Sequence, residues 1–123
     1  MTQEDKELLL RDLCARLPYG IKASYYGVEE ERETWDVIEG ITLDGYVDIG
    51  QYSLPIEGIK PYLFPLSSMT EEQKSQYNFY LTRIVFAYDA SLLIDWLNKN
   101  HFDYRGLIKK GLAIDATGLN IYD

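Results

Sequence analysis

Leu8, Leu9, Leu13 and Leu17 recur at helical spacing behind Thr2, which predicts an amphipathic helix over residues 2–17. Thr2 is placed to cap it, Glu4 and Asp5 bring negative charge to the first turn, and Pro18 with Gly20 ends the run. Cys14 falls between Leu13 and Leu17, near the apolar stripe, where a free thiol packs as a small hydrophobe. From Ile21 the period changes from helical to alternating. Ile21, Ala23 and Tyr25 take one face of a strand, and Lys22, Ser24 and Tyr26 take the other. The acidic stretch at residues 29–33 repels itself inside any buried element, so it reads as an exposed hairpin tip. Trp35, Val37 and Ile41 are then expected on one face of a second strand, and Val47 and Ile49 on a third.

The second reversal has two registers. A two-residue Asp44-Gly45 turn splits the apolar set between faces. A three-residue loop, Leu43-Asp44-Gly45, with Gly45 left-handed, pairs Ile41 with Val47 and keeps one apolar face. The second register is preferred. It gives a three-stranded antiparallel meander over residues 20–54. Pro55, Gly58, Pro61 and Pro65 punctuate the next stretch, so residues 56–68 are expected to form an ordered crossover and not a central strand. Thr70 and Gln73 are spaced for a capping box opening a second helix, along which Tyr77, Tyr80, Leu81 and Ile84 recur. Residues 84–88 suit helix or strand equally. Asp89 or Ser91 caps a third helix carrying Leu92, Leu93, Trp96 and Leu97. Residues 101–123 hold a short turn around Leu107 and Ile108, then an irregular tail. The predicted fold class is α+β, in a single domain spanning residues 1–123: an N-terminal helix, a three-stranded antiparallel sheet, a Pro-rich crossover, and two to three C-terminal helices packed on one sheet face.

Composition narrows the function classes. The 123 residues carry 12 Lys and Arg against 20 Asp and Glu, net −8. The first 60 residues hold 6 basic and 13 acidic side chains and the rest 6 and 7, so nearly all the excess is N-terminal. Phosphate backbones and anionic lipid surfaces are bound by Lys and Arg displacing counterions, so direct nucleic-acid or membrane binding is disfavoured. A basic protein partner, by contrast, is steered towards such a surface. No apolar run reaches the 18–20 residues that span a bilayer, and the acidic N-terminus is unlike a secretory signal, so a cytoplasmic protein is expected. One Cys and one His exclude an intrachain disulfide and a thiolate-clustered metal site, and no cofactor motif is present.

The stretch Lys60-Pro61-Tyr62-Leu63-Phe64-Pro65-Leu66-Ser67-Ser68-Met69-Thr70-Glu71-Glu72-Gln73 is distinctive, as is residues 96–108 with the following Lys110-Gly111-Leu112-Ala113-Ile114. Both resemble segments shared by small uncharacterised proteins of gut Bacteroidetes genomes and their prophages. The resemblance covers roughly the C-terminal half and implies context, an accessory gene product of a bacterium or its integrated phage, with no activity to carry onto any residue.

Two candidate sites follow. Glu29, Glu30, Glu31, Glu33, Asp36, Glu39 and Asp48, with Tyr26 and Tyr46, form a candidate partner-binding surface, since Tyr supplies rigid contact area and a hydroxyl. A sharper version is an inhibitor presenting carboxylates where a basic nucleic-acid-binding protein expects phosphates. The second candidate is His101, Asp103 and Arg105, which can do acid–base work if a pocket gathers them. The structural alternative is that His101 ends the third helix, Phe102 and Tyr104 pack, and Asp103 caps the next turn. The leading expectation is a non-enzymatic protein acting by protein–protein contact; a small enzyme or ligand-binding domain around His101 is second, and a homo-oligomer subunit third.

Overall fold

A computed structural model describes residues 1–123. Helix α1 (Gln3–Arg16) begins at Thr2, whose hydroxyl accepts from the Asp5 N–H at 3.1 Å. Its buried side chains are Leu9, Asp12, Leu13 and Arg16, one stripe at helical spacing. Cys14 is exposed, against expectation. Asp12 and Arg16 take up the stripe that a neighbouring thiol was expected to share. A single 3-10 turn ends at Gly20, left-handed at φ 70°.

The chain then runs through four antiparallel strands, β1 (Lys22–Gly27), β2 (Arg32–Ile41), β3 (Tyr46–Ile49) and β4 (Tyr52–Pro55). Ile41 pairs with Val47 across the three-residue loop, and Gly45 has φ 87°. Trp35 and Val37, however, do not share the face of Ile41. The register shifts between Ile38 and Gly40, leaving Glu39 as an extra residue, and this bulge inverts the alternation. Ile38 is the buried residue of β2, and Trp35 lies on the outer face opposite Ser24.

The sheet is larger than three strands. It has seven, in the order β4-β3-β2-β1-β5-β6 with β7 also paired to β5. The stretch expected to be a crossover contains β5 (Lys60–Pro65), the sheet's hub: antiparallel to β1, parallel to β6 (Phe102–Asp103) and to β7 (Ile114–Asp115). Backbone groups of successive residues point to opposite edges of a strand, which explains why its prolines are tolerated. The Phe64 N–H donates to His101 O on one edge, while Leu63 O accepts from the Ala116 N–H on the other. Pro61 and Pro65 are in phase with Leu63, so their missing donors fall on the β7 edge, outside the Tyr62–Leu63 stretch that β7 pairs. The tail expected to be irregular supplies β7.

Side chains of β5 feed two cores. Leu63 joins a cluster of 14 buried residues in which Leu9 and Leu13 of α1 meet Ile21, Ala23, Ile38, Val47 and Ile49 of the sheet segment. Phe64 packs on a cluster of four, Met69, Leu93, Leu97 and Phe102. Consecutive strand residues point to opposite faces, so the helices do not all cover one face as expected. Helix α2 (Glu71–Leu81) starts with the Thr70–Gln73 capping box, with bonds of 3.1 and 2.9 Å. Residues 84–86 are neither helix nor strand. Helix α3 (Ala87–Lys99) begins earlier than expected because Asp89 serves as an acceptor from inside the first turn, taking the N–H groups of Val85 and Phe86 at 3.1 and 2.9 Å.

Candidate functional site

His101 follows α3 in the left-handed conformation, φ 62°, and its N–H donates to Asn98 O at 3.1 Å. A non-glycine residue there ends the helix as a C-terminal cap. The imidazole stacks on Tyr122, with ring centroids 3.7 Å apart and planes 11° apart. Burial, with the nearby Arg16 and Lys22 charges, lowers the His101 pKa to about 4, so the ring is neutral at pH 7. Asp103 is buried, and its two carboxylate oxygens accept from the Leu107 and Ile108 N–H groups at 3.0 and 2.9 Å. It caps the turn that follows, with Gly106 left-handed at φ 74°. Phe102 is buried in the smaller core.

Arg105 reaches Asp12 on α1, donating from Nε to Oδ1 at 3.1 Å. Arg16 Nε donates to the other Asp12 oxygen at 2.9 Å, and Arg16 Nη2 donates to Phe102 O at 2.6 Å. Both Asp12 and Arg16 are fully buried. Burial pushes the Asp12 carboxyl pKa up, and the two guanidiniums oppose that shift. Tyr104 lies under both guanidiniums, 5.2 Å from Arg16 and 5.0 Å from Arg105, and its hydroxyl donates to Asn98 at 2.8 Å. Asp103 and Arg105 thus turn into different partners instead of converging with His101. The three line none of the main surface clefts. No group of three His, Cys, Asp or Glu side chains is arranged to hold a metal ion.

Sequence reasoning missed the buried ion network. The signal was present: Asp12 and Arg16 interleave with Leu9 and Leu13, so two charges sit in the apolar stripe at i, i+4. It also missed Tyr122. In the β1–β5 register, Ser24 pairs with Lys60 and Ala23 with Pro61, so Lys22 would next meet Tyr62. The Tyr122 hydroxyl stands between them, accepting from the Lys22 N–H at 3.0 Å and donating to Tyr62 O at 2.7 Å. Burial raises its pKa well above the ordinary tyrosine value. Tyr122 therefore joins two strands where their ladder parts, and the His101 ring covers it.

All seven carboxylates of the candidate partner surface are exposed, as are Tyr26 and Tyr46. They do not form one patch. Tyr26 and Glu33 are cross-strand partners on the outer face of the β1–β2 hairpin. Asp48 and Tyr46 lie on the outer face beyond the bulge, opposite Gly40 and Thr42. Seven residues of strand separate Glu33 from Gly40, about 20 Å at the usual rise. Glu29 and Glu30 fold the hairpin tip back onto the β3–β4 turn: Gln51 donates to Glu29 at 2.8 Å and the Tyr52 hydroxyl to Glu30 at 3.0 Å. Asp36 accepts from the Val37 N–H at 2.7 Å. Glu31, Glu39 and Asp48 have no such partner. The molecule's ion pairs are Lys6 with Glu57, Lys74 with Glu71, and Asp12 with Arg16 and Arg105, so none of the seven is neutralised by a neighbouring cation.

A second surface was not anticipated. Between α2 and α3 runs a cleft of about 520 Å³ lined by Gln76, Phe79, Tyr80, Trp96 and Lys99 among others. At the connection between the helices Val85 and Phe86 are 75% and 74% exposed, and Tyr88 in the first turn of α3 is 71% exposed. The sequence signal is the apolar run at residues 84–88, which suits helix or strand equally and carries no polar positions for a solvated face. No helix is long and apolar enough to cross a membrane. Comparison of the chain with protein-family models, with curated proteins and with solved structures found no match.

Proposed function

We propose that this chain is a small non-enzymatic accessory protein that acts by protein–protein contact, its sheet half presenting carboxylates to a basic partner. The observation that carries the reading is that seven exposed acids on β1–β3 and their turns lack any cationic neighbour within ion-pair distance. Uncompensated exposed charge steers an oppositely charged protein and rejects phosphate backbones and anionic headgroups. The prophage setting implied by the resemblance is part of the same proposal, and a basic host or phage protein is the partner it suits. The His101–Arg105 alternative has less support, since each polar side chain there is committed to a cap, an ion pair or a ring stack.

The surface divides by role. Glu29, Glu30 and Asp36 hold the hairpin tip and the β2 backbone, while Glu31, Glu39 and Asp48 are free to meet a partner. The test is capture from host lysate with the immobilised protein at about 50 mM and about 500 mM salt, beside a Glu31→Gln/Glu39→Gln/Asp48→Asn variant. A basic protein retained at low salt, released at high salt and lost to the variant is the expected result. Capture of no basic protein, or capture insensitive to salt and to the variant, contradicts the reading.

A further inference from the structure

We infer that the α2–α3 hairpin is a self-association surface, and that two copies of this chain pair through it as a two-fold dimer. Helix α2 has no buried residue, and α3 buries only Leu93, Leu97 and Asn98, none of them in its first six residues. Its uncovered surface includes six large apolar side chains around the tip: Phe79, Leu81, Ile84, Val85, Phe86 and Tyr88 are between 39% and 75% exposed. Taken at ordinary side-chain areas, those six expose about 550 Å², near the top of the roughly 300–600 Å² of the largest patch on a typical monomer. That is about two-thirds of the roughly 800 Å² that each partner contributes to a standard stable interface, and the flanking helix surfaces supply the rest.

The tip is held in shape before any contact is made. The Asp89 carboxylate takes the Val85 and Phe86 N–H groups, the Thr82 hydroxyl donates to Asn78 O at 2.8 Å, and the Arg83 guanidinium lies 3.8 Å over the Phe79 ring while donating to Phe79 O. Pre-ordering of this kind removes much of the entropy loss that association otherwise incurs.

Charge selects the occupant. The chain is net −8, yet residues 61–123, which include the hairpin, carry only one excess negative charge. A second copy therefore meets little repulsion here and strong repulsion at its sheet half. Arg83 and Asp89 border the patch with opposite signs, which suits an isologous contact where each copy brings both. The inference is independent of the acidic-surface proposal, because it needs no second protein.

Sedimentation equilibrium of the whole chain from about 1 to 100 μM tests it, with Phe86→Glu and, as a control on the sheet, Tyr46→Glu. Expected are a dimer for the natural chain and for Tyr46→Glu, and dimerisation weakened about 100-fold or more by Phe86→Glu with an unchanged far-UV circular dichroism spectrum. Val85→Ser gives the same direction without adding charge. A monomer at every concentration overturns the inference and leaves the patch to a different protein. A dimer broken by Tyr46→Glu and not by Phe86→Glu overturns it as well.

Discussion

Helices α1 and α3 are nearly equal in length, 14 and 13 residues, and end in opposite situations. Along α1, Leu9, Asp12, Leu13 and Arg16 are covered by the sheet and the C-terminal segments, and even its two buried charges are paired. Along α3 the first turns are open, and the partner helix α2 covers little. The difference lies in what the chain sends back over each helix. Strands β1, β3 and β5 and the turn at Leu107 all return beneath α1, whereas Phe64, Met69, Phe102 and Tyr104 return only beneath the later turns of α3. One half of the molecule is a completed core, and the other offers apolar surface for contact.

The sharpest way to break that contrast is to unbalance the completed side. Asp12→Ala leaves the Arg16 guanidinium buried without its carboxylate, and the expected loss of stability is about 3–5 kcal/mol in urea unfolding. A loss under about 1 kcal/mol would mean that the charges are solvated and the core is looser than described. Tyr122→Phe keeps the ring and removes the hydroxyl between β1 and β5, stranding the Lys22 N–H and Tyr62 O. The same measurement should show a loss of about 1–3 kcal/mol.

The pH dependence comes next in size. His101 has a folded pKa of about 4 against an ordinary 6.5, so between those values the unfolded chain binds a proton that the folded one refuses. Its contribution is therefore intact above pH 6.5, falls as the pH drops towards 4, and is lost below that. Discounted for the ring's partial exposure, this amounts to about 1–2 kcal/mol. His101→Asn tolerates the left-handed backbone and removes the titration. The variant should lose less stability than the natural chain between pH 7 and pH 4.5, and equal slopes would refute the assignment. The smallest effect is expected at the open side. Val85→Ser should change the unfolding free energy of the dilute monomer by no more than about 0.5 kcal/mol.

The two halves also differ in how far sequence alone exposes them. Thr2, the Thr70–Gln73 box, the Ile41–Val47 register and the Asp103 cap follow from local spacing, because each is a contact between residues close in the chain. Strand β5 does not, since the tolerance of Pro61 and Pro65 depends on which edge their missing N–H groups face, and β6 and β7 set that from about 40 to 50 residues away. The face of Trp35 is not legible in the sequence because one bulge residue, Glu39, inverts the alternation, and no composition marks it. At the candidate sites, residue types were legible and convergence was not. His101, Asp103 and Arg105 are near in sequence and turn to Tyr122, the Leu107 turn and Asp12 respectively, while the seven acids divide between structural bonds and two separated stretches of sheet.

The most direct measurement of the contrast between a closed core and an open hairpin is amide hydrogen exchange read by mass spectrometry at about 1 μM and about 100 μM protein. At the lower concentration, peptides from residues 71–99 should exchange much faster than those from β1, β2 and β5. At the higher concentration the hairpin should gain protection while the sheet does not change. A hairpin as protected as the sheet on dilution, with no response to concentration, would contradict an open surface that a second copy covers.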